Sequence, residues 1–123
     1  MVVGPGHLAD SFKDPLLPPV LATPVMIMMM ENAALNAIRP FLDPGESAVG
    51  TVVDVRHLAA TPVGQRVRAE AEVTAIDGRK IAFKVVARDE SELIGEGTHD
   101  RMVINLARFG ERLATKARET KGA

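Results

Sequence analysis

The feature that most constrains the fold is the long apolar stretch Thr23–Leu42. Every residue from Val25 to Met30 is apolar, and most of the positions beyond Glu31 continue the pattern. The threonine that opens the stretch is suited to an N-cap, and Pro24 is suited to the first helical position, where its missing N–H costs nothing. Because a helix that is apolar almost all round is buried rather than laid on a surface, we predict a buried central helix over residues 24–42.

A single carboxylate, Glu31, interrupts this apolar run, with Asn32 and Asn36 close behind it. An ionised carboxylate in a low-dielectric interior is costly unless a partner compensates it. Two interpretations follow from this stretch alone. Either Glu31 lies at a helix edge or a dimer seam, or it has a chemical role in a site.

Residues 48–106 change to an alternation of apolar and polar positions, which is typical of antiparallel strands with one buried and one wet face. Asp77-Gly78 is a strong signal for a two-residue hairpin turn of primed type. We predict about four long strands in meander order. The inward faces of the two best patterned strands are predicted to hold Val49, Thr51, Val53, Val55 and His57, and Val67, Ala69, Ala71, Val73 and Ala75.

The last predicted strand carries two glycines on one face, Gly95 and Gly97. Glycines at such positions leave room for a close neighbour, which is either the central helix or a ligand. His99 shares this face, and a lone inward histidine, like His57, is more often a satisfied core residue than a catalytic one. From its position alone, Arg101 is expected to be a strand-end charge in solvent.

The segments at the two ends complete the expected fold. Residues 1–20 are expected to approach the helix over the surface, and residues 107–123 are expected to form a short helix that frays. Curling one antiparallel sheet around the buried helix covers the apolar surface of both elements, and a second copy covers the sheet edge that remains. We therefore predict one α+β domain over residues 1–123, a hotdog fold with an antiparallel β-sheet wrapped around a central buried helix, and a homodimer.

The composition narrows the classes of function. The formal net charge is −1 and 3% of the residues are aromatic, so the sequence offers neither the basic surface nor the stacking platforms of a nucleic-acid binder. The absence of cysteine excludes thiolate chemistry, and the three histidines lack the helical spacing of a metal site. We expect no metal. Polar residues and prolines interrupt the one stretch of membrane-span length and no targeting segment is evident, so the cytoplasm is the simplest compartment.

Three motifs together resemble one known family. They are ATPVMIMMME at the start of the helix, GTVVDVRHLAATPVG in the first long strand and its exit, and GEGTHDRMVI in the last strand. In this order and spacing, from Leu21 to Phe109, they are similar to the fluoroacetyl-CoA thioesterase group of hotdog acyl-CoA thioesterases. The resemblance implies hydrolysis of a small acyl-CoA thioester to free acid and CoA, with CoA as part of the substrate and no separate cofactor. The competing interpretation is a hotdog module that binds acyl-CoA without hydrolysing it.

The resemblance also implies which residues form the site. The catalytic set of the family falls on Thr23, Glu31 and His57, and its substrate- or CoA-binding residues fall on Gly50 and Arg101. Glu31 would activate water or attack the thioester directly, His57 would act as general acid–base, and Thr23 would orient Glu31 or hold the substrate. Arg101 would bind a CoA phosphate or make a structural pairing in the mouth of the site. Hotdog proteins form dimers or dimers of dimers with the site at the subunit interface, so the set is expected to draw on two chains.

Two features depart from the family member that selects fluoroacetyl-CoA. The region before the helix is short and holds Phe12 as its single aromatic residue, where that enzyme has Phe-bearing lid segments. The helix carries a Met-rich run where that enzyme has smaller residues. These departures bear on the selection of a fluorinated acyl group and not on thioester chemistry, so the identity of the acyl group stays open.

Overall fold

The structure, a computed structural model, describes residues 1–12 and 14–122. One long helix lies against a four-stranded antiparallel sheet, as predicted for an α+β hotdog fold. In chain order the elements are a 3₁₀ turn (Pro5–His7), α1 (Ala9–Phe12), α2 (Thr23–Ile38), a second 3₁₀ turn (Arg39–Phe41), β1 (Glu46–His57), β2 (Arg68–Asp77), β3 (Lys80–Arg88), β4 (Leu93–Asn105) and α3 (Leu106–Gly122).

The strands lie in the order β1-β4-β3-β2, and all neighbours are antiparallel. The prediction of four long strands is confirmed, but the predicted meander order is wrong for β1, which pairs with β4 instead of β2. The reason is the connection over residues 58–67, which is too long for a tight hairpin and reaches the far edge of the sheet, where Arg66 bridges Val2. In the single chain β1 is therefore an edge strand.

A β-bulge at Thr51 reverses the predicted faces in the first half of β1. The register with β4 shifts between Gly50 and Val52, and one extra residue moves the preceding side chains to the opposite face. Before the bulge Ala48 and Gly50 face inward, so the prediction for Val49 and Thr51 is wrong. After the bulge the prediction holds for β1: its residues Val53, Val55 and His57 lie opposite the inward residues of β4.

A second bulge lies in β2, whose register with β3 shifts between Val73 and Ala75. Ile76, instead of the predicted Ala75, therefore lies opposite the buried Ile81. The hairpin that follows lies one residue later than predicted and begins at Gly78. The φ of 59° at this glycine fits the first turn position of a primed turn, so the predicted turn class is confirmed.

Helix α2 is buried on one face only. The residues on that face are Val25, Met26, Met30, Ala34 and Ile38. Met28, on the opposite face, is 49% exposed, so the prediction of a helix buried all round is wrong for the single chain. The sheet covers one side of the helix and leaves the other open.

The ends of α2 also differ from the prediction. Ala22 is the N-cap and Thr23 is already the first helical residue, so Thr23 does not cap the helix. The α-helix ends at Ile38, and the predicted range to residue 42 includes a 3₁₀ turn that holds Pro40. This proline thus ends the α-helical geometry, as expected from its missing N–H.

The N-terminal segment contributes to the core, which corrects the prediction that residues 1–20 run over the surface. Val3 and Leu8 are buried. Val3 exchanges backbone hydrogen bonds with the 64–65 region, and Leu8 bridges Leu21. Residues 14–19 are exposed, as predicted.

The predicted C-terminal helix is present as α3, but it continues to Gly122 and is longer than the short, fraying helix expected; Ala123 lies outside the described residues. Its first backbone N–H, that of Leu106, donates to the carbonyl of Gly45, and the side chains from residue 110 to residue 119 are exposed. Within residues 1–12 and 14–122, no helix is long and apolar enough to cross a membrane.

Asp89 ties the β3–β4 turn to the long connection after β1. One of its carboxylate oxygens accepts hydrogen bonds from the backbone N–H groups of Ser91 and Glu92, at 2.8 and 2.9 Å. The other accepts from the hydroxyl of the fully buried Thr61 at 2.9 Å. The carbonyl of Thr61 in turn accepts from the backbone N–H of Leu21, just before α2. The carboxylate therefore links the β3–β4 turn, through Thr61, to Leu21 just before the central helix.

Asp89→Asn is expected to lower the free energy of unfolding by about 1 kcal/mol at neutral pH. Burial raises the pKa of Asp89, but its three hydrogen bonds outweigh burial and hold the pKa below the ordinary value of 3.8. A carboxyl group whose pKa is lower in the folded chain than in the unfolded chain stabilises the fold. This stabilisation is complete at a pH above the pKa of the unfolded chain, and it is lost as the pH falls through the pKa of the folded chain. In urea unfolding, the difference between wild type and variant should shrink below pH 3.8. A difference that is constant with pH would contradict this role.

Candidate active site

Thr23 and His57 form a hydrogen-bonded pair where α2 begins and β1 ends. The hydroxyl Oγ1 of Thr23 lies 2.8 Å from Nδ1 of His57. Because Ala22 is the N-cap, the threonine hydroxyl contacts the histidine instead of the helix end. The pair borders an open cavity of about 360 Å³, whose other lining residues include Leu17, Val20 and Ala59.

Glu31 faces a second group of residues, farther along the helix. Its Oε2 lies 3.8 Å from Nη1 of Arg101. The side chain of Glu31 is 39% exposed, whereas that of Arg101 is 8% exposed. The carboxylate therefore lies at the border between core and solvent, with a buried cation behind it. This pairing compensates the cost of placing a carboxylate in an apolar helix.

Arg101 is buried in the middle of β4, so the expectation of a strand-end charge in solvent is wrong. Its Nη2 donates to the carbonyl of Ala48 at 2.6 Å, and its Nη1 lies 3.3 Å from Nε2 of His99. Burial lowers the pKa of Arg101 from its ordinary value, and the Glu31 carboxylate opposes that shift. A guanidinium held between a carbonyl and a carboxylate fits a structural pairing better than a contact with a CoA phosphate.

Gly50 leaves the space in which this group assembles. A Cβ at this position would lie 3.1 Å from Oε2 of Glu31 and 3.2 Å from Cε1 of His99. These distances are shorter than ordinary van der Waals contacts. A side chain here would therefore displace the carboxylate or the imidazole, so the glycine allows Glu31, His99 and Arg101 to lie close to the backbone of β1.

One subunit does not bring the whole predicted set together. Thr23 and Glu31 are separated by eight positions on α2, which is about 12 Å along the helix axis. Gly50 and His57 are separated by seven positions on β1, which is roughly 20 Å of strand. The structure thus contains two groups, one of Thr23 with His57 and one of Glu31 with Gly50 and Arg101.

Comparison with known proteins identifies the same family as the sequence motifs. Residues 3–107 match the model of the family described as FlK, fluoroacetyl-CoA-specific thioesterase. The chain belongs to this family. It is also 42% identical over 99 residues to the fluoroacetyl-CoA thioesterase of Streptantibioticus cattleyicolor, a match that covers 80% of this chain and 71% of that protein. This FlK-family chain is therefore a thioester hydrolase.

Solved structures agree with the hotdog fold of the FlK-family chain. The structure of the fluoroacetyl-CoA thioesterase FlK matches it with a TM-score of 0.89 and 38% identity, over 94% of this chain and 90% of that one. A Thermus thermophilus protein described as a thioesterase superfamily member matches with a TM-score of 0.93 and 30% identity, over 100% of this chain and 90% of that one. Structures of FlK variants include complexes with fluoroacetate and CoA and with acetyl-CoA.

His99 contacts the Glu31 group through Arg101, and from its place in the sequence it was expected to be a core residue more often than a catalytic one. It is 1% exposed, and its ring stacks on Phe83 with a centroid distance of 5.9 Å. That part of the prediction is confirmed. What the FlK-family motif GEGTH did not indicate is that both ring nitrogens have polar neighbours, the Val52 carbonyl and the Arg101 guanidinium.

Proposed function

We propose that this protein hydrolyses a small acyl-CoA thioester to a carboxylic acid and CoA, in a site shared by two subunits of a homodimer. The observation that carries the proposal is the Glu31 carboxylate, held beside the buried Arg101 and close to Gly50 while its side chain stays 39% exposed. Membership of the FlK family and the names of its relatives support acyl-CoA as the substrate class.

The edge strand β1 supports a site built from two chains. Val52 and Val53, in the middle of this edge strand, are 47% and 42% exposed, although both are apolar. A second copy that pairs antiparallel with β1, about a twofold axis between these two valines, covers them and removes the open edge. Such pairing sets Ala48 opposite His57 of the partner subunit. Because Ala48 accepts the hydrogen bond from Arg101, the partner's His57 then lies close to the Glu31 group.

The charged outer face of the sheet argues that two subunits pair through the edges of their β1 strands and do not stack their sheets face to face. That face carries a cluster of charged and hydroxyl side chains, which are Asp54, Arg56, Thr74, Lys84, Glu96 and Thr98. These residues are exposed. Stacking two such faces would bury charges, which is costly unless each charge is paired. We therefore assign the dimer to β1 and leave the outer face to solvent.

The proposed reaction uses the two groups for different steps. Glu31 takes a proton from water as the water attacks the acyl carbon, or its carboxylate attacks that carbon and water then hydrolyses the resulting anhydride. In both routes the bond between the acyl carbon and sulfur breaks, and the departing sulfur receives a proton from His57 of the partner subunit. Nδ1 of each His57 contacts the Thr23 hydroxyl of its own chain, so proton transfer is assigned to the other ring nitrogen, Nε2. The acyl group is assigned to the solvent side of Glu31, whose side chain is 39% exposed.

The proposal is tested by measuring thiol release from a panel of acyl-CoA thioesters of increasing acyl size, with fluoroacetyl-CoA and acetyl-CoA included. The expected result is release from the small members, with a rate that falls as the acyl chain lengthens. Binding of acyl-CoA without thiol release from any member would overturn the enzyme proposal in favour of a binding module.

A further inference from the structure

The two ring nitrogens of His99 have fixed and different roles. Nδ1 lies 2.8 Å from the carbonyl oxygen of Val52, and a carbonyl can only accept, so Nδ1 carries the proton. Nε2 lies 3.3 Å from Nη1 of Arg101, and a guanidinium can only donate, so Nε2 is unprotonated. The ring is almost fully buried and stacks on Phe83. His99 is therefore held as one neutral tautomer with its lone pair aimed at Arg101.

The guanidinium of Arg101 is held from two sides. Nη2 donates to the Ala48 carbonyl, and Nη1 is shared between Nε2 of His99 and Oε2 of Glu31. The Nε–H of the same arginine is buried and has no hydrogen-bond partner among the described residues. The Ala48 carbonyl fixes the Nη2 side of the guanidinium, and Nε2 of His99 is the hydrogen-bond acceptor that fixes its Nη1 side toward Glu31.

We propose that His99 is a positioning residue for the hydrolysis, acting through Arg101 on the Glu31 carboxylate. This inference rests on the proposed function, since it assigns Glu31 to the chemical step. The acceptor of His99 is the carbonyl of Val52, the first paired residue after the β1 bulge. The chain of contacts thus runs from the bulge to His99, from His99 to Arg101, and from Arg101 to Glu31.

The test is a double-mutant cycle with kcat for thiol release as the readout. His99→Phe keeps a ring that can stack on Phe83 and removes both nitrogens, and it is expected to lower kcat about tenfold, the effect of one lost hydrogen bond, with KM changed less than about twofold. In an Arg101→Met background the same substitution is expected to lower kcat by less than about twofold. His99→Gln, which keeps an oxygen acceptor for Nη1, is expected to retain more activity than His99→Phe.

A control separates positioning from loosened packing. Phe83→Leu disturbs the ring that stacks on His99 but leaves the nitrogen contacts in place, so its effect on kcat should be equal in the wild-type and Arg101→Met backgrounds. An equal effect of His99→Phe in both backgrounds, or no effect at all, would overturn the proposal. His99→Gln supplies the test if His99→Phe does not fold.

A spectroscopic measurement distinguishes failure of this inference from failure of the proposed function. In ¹⁵N NMR, the side-chain signals of Arg101 should show restricted rotation in the wild type, averaged signals in His99→Phe, and signals closer to the wild type in His99→Gln. A wild type that releases no thiol would overturn the proposed function and the catalytic part of this inference together. Arg101 signals unchanged by His99→Phe would overturn the inference even if the wild type is active.

Discussion

Glu31→Gln is expected to lower kcat for thiol release by about 100-fold or more, with little change in KM. The glutamine amide is nearly isosteric with the carboxylate, so it still fits between Arg101 and Gly50. It can neither take a proton from water nor attack the acyl carbon. The loss therefore falls on the chemical step in both routes of hydrolysis, whereas binding of the CoA portion is preserved.

The experiment compares kcat and KM of wild type and variant on the best substrate of the panel. Glu96→Gln is the matched control, because it makes the same change to an exposed carboxylate on the outer face of β4. The control should retain wild-type activity. Thermal unfolding should show that Glu31→Gln costs at most about 1 kcal/mol, since the carboxylate is partly solvated and its ion pair is screened. A folded Glu31→Gln variant with more than about a tenth of wild-type kcat would exclude Glu31 as base and as nucleophile.

Gly97→Ala is expected to have the largest effect on stability, a loss of about 3 kcal/mol or more in the free energy of unfolding. A Cβ on Gly97 would collide with the backbone carbonyl of Asp54 and lie 2.6 Å from Cα of Val55. Both atoms belong to the backbone of β1, so the neighbouring strand itself would have to move. Because β1 and β4 carry His57, Gly50 and Arg101, the displacement would also disturb the site.

Two other glycines provide graded controls for this effect. A Cβ on Gly95 would lie 2.5 Å from the sulfur of the buried Met26 and 3.1 Å from the carbonyl oxygen of Arg56. Because the closest contact is a side chain and the backbone contact is longer than at Gly97, Gly95→Ala should cost less, about 1–2 kcal/mol. A Cβ on Gly110, within α3, would meet nothing within 4 Å, so Gly110→Ala should be neutral or stabilising by up to about 1 kcal/mol. Urea unfolding of the three variants measures the series. A Gly97→Ala variant as stable as Gly110→Ala would show that β1 and β4 are not packed as described.

The sequence predicted the fold through its strongest local patterns, and it failed where a single inserted residue decides the outcome. The apolar run and the alternating segments were sufficient to predict α2 and four strands. The bulge at Thr51 adds one residue to β1 and thereby moves Ala48 and Gly50 to the inward face. Alternation cannot indicate such a residue, because a shifted strand has the same composition. The place of β1 next to β4 also depends on the path of a long connection, which local pattern does not determine.

The candidate site also contains residues that the sequence predicted and residues that it did not. Thr23, Glu31 and His57 were recognisable as a set through the motifs shared with the fluoroacetyl-CoA thioesterase family, whereas position alone predicted a core histidine at 57 and a helix cap at 23. The burial of Arg101 was not, because a lone arginine on a strand is ordinarily solvated and its partners, Glu31 and the carbonyl of Ala48, come from distant parts of the chain. The polar role of His99 depends on a carbonyl beside the bulge and was hidden for the same reason.

The central claim, a site in which Glu31 of one chain works with His57 of the other, is tested most directly by subunit complementation. Glu31→Gln and His57→Asn chains, each inactive alone, are co-expressed with different tags, and the heterodimer is isolated through both. One of its two sites then combines an intact Glu31 with an intact His57 from the partner, so about half of the wild-type rate of thiol release is expected. The mirror control pairs a wild-type chain with a chain that carries both substitutions, and it should be inactive. A heterodimer as inactive as its parents, together with a mirror control at about half of the wild-type rate, would contradict the account and place the whole site within one chain.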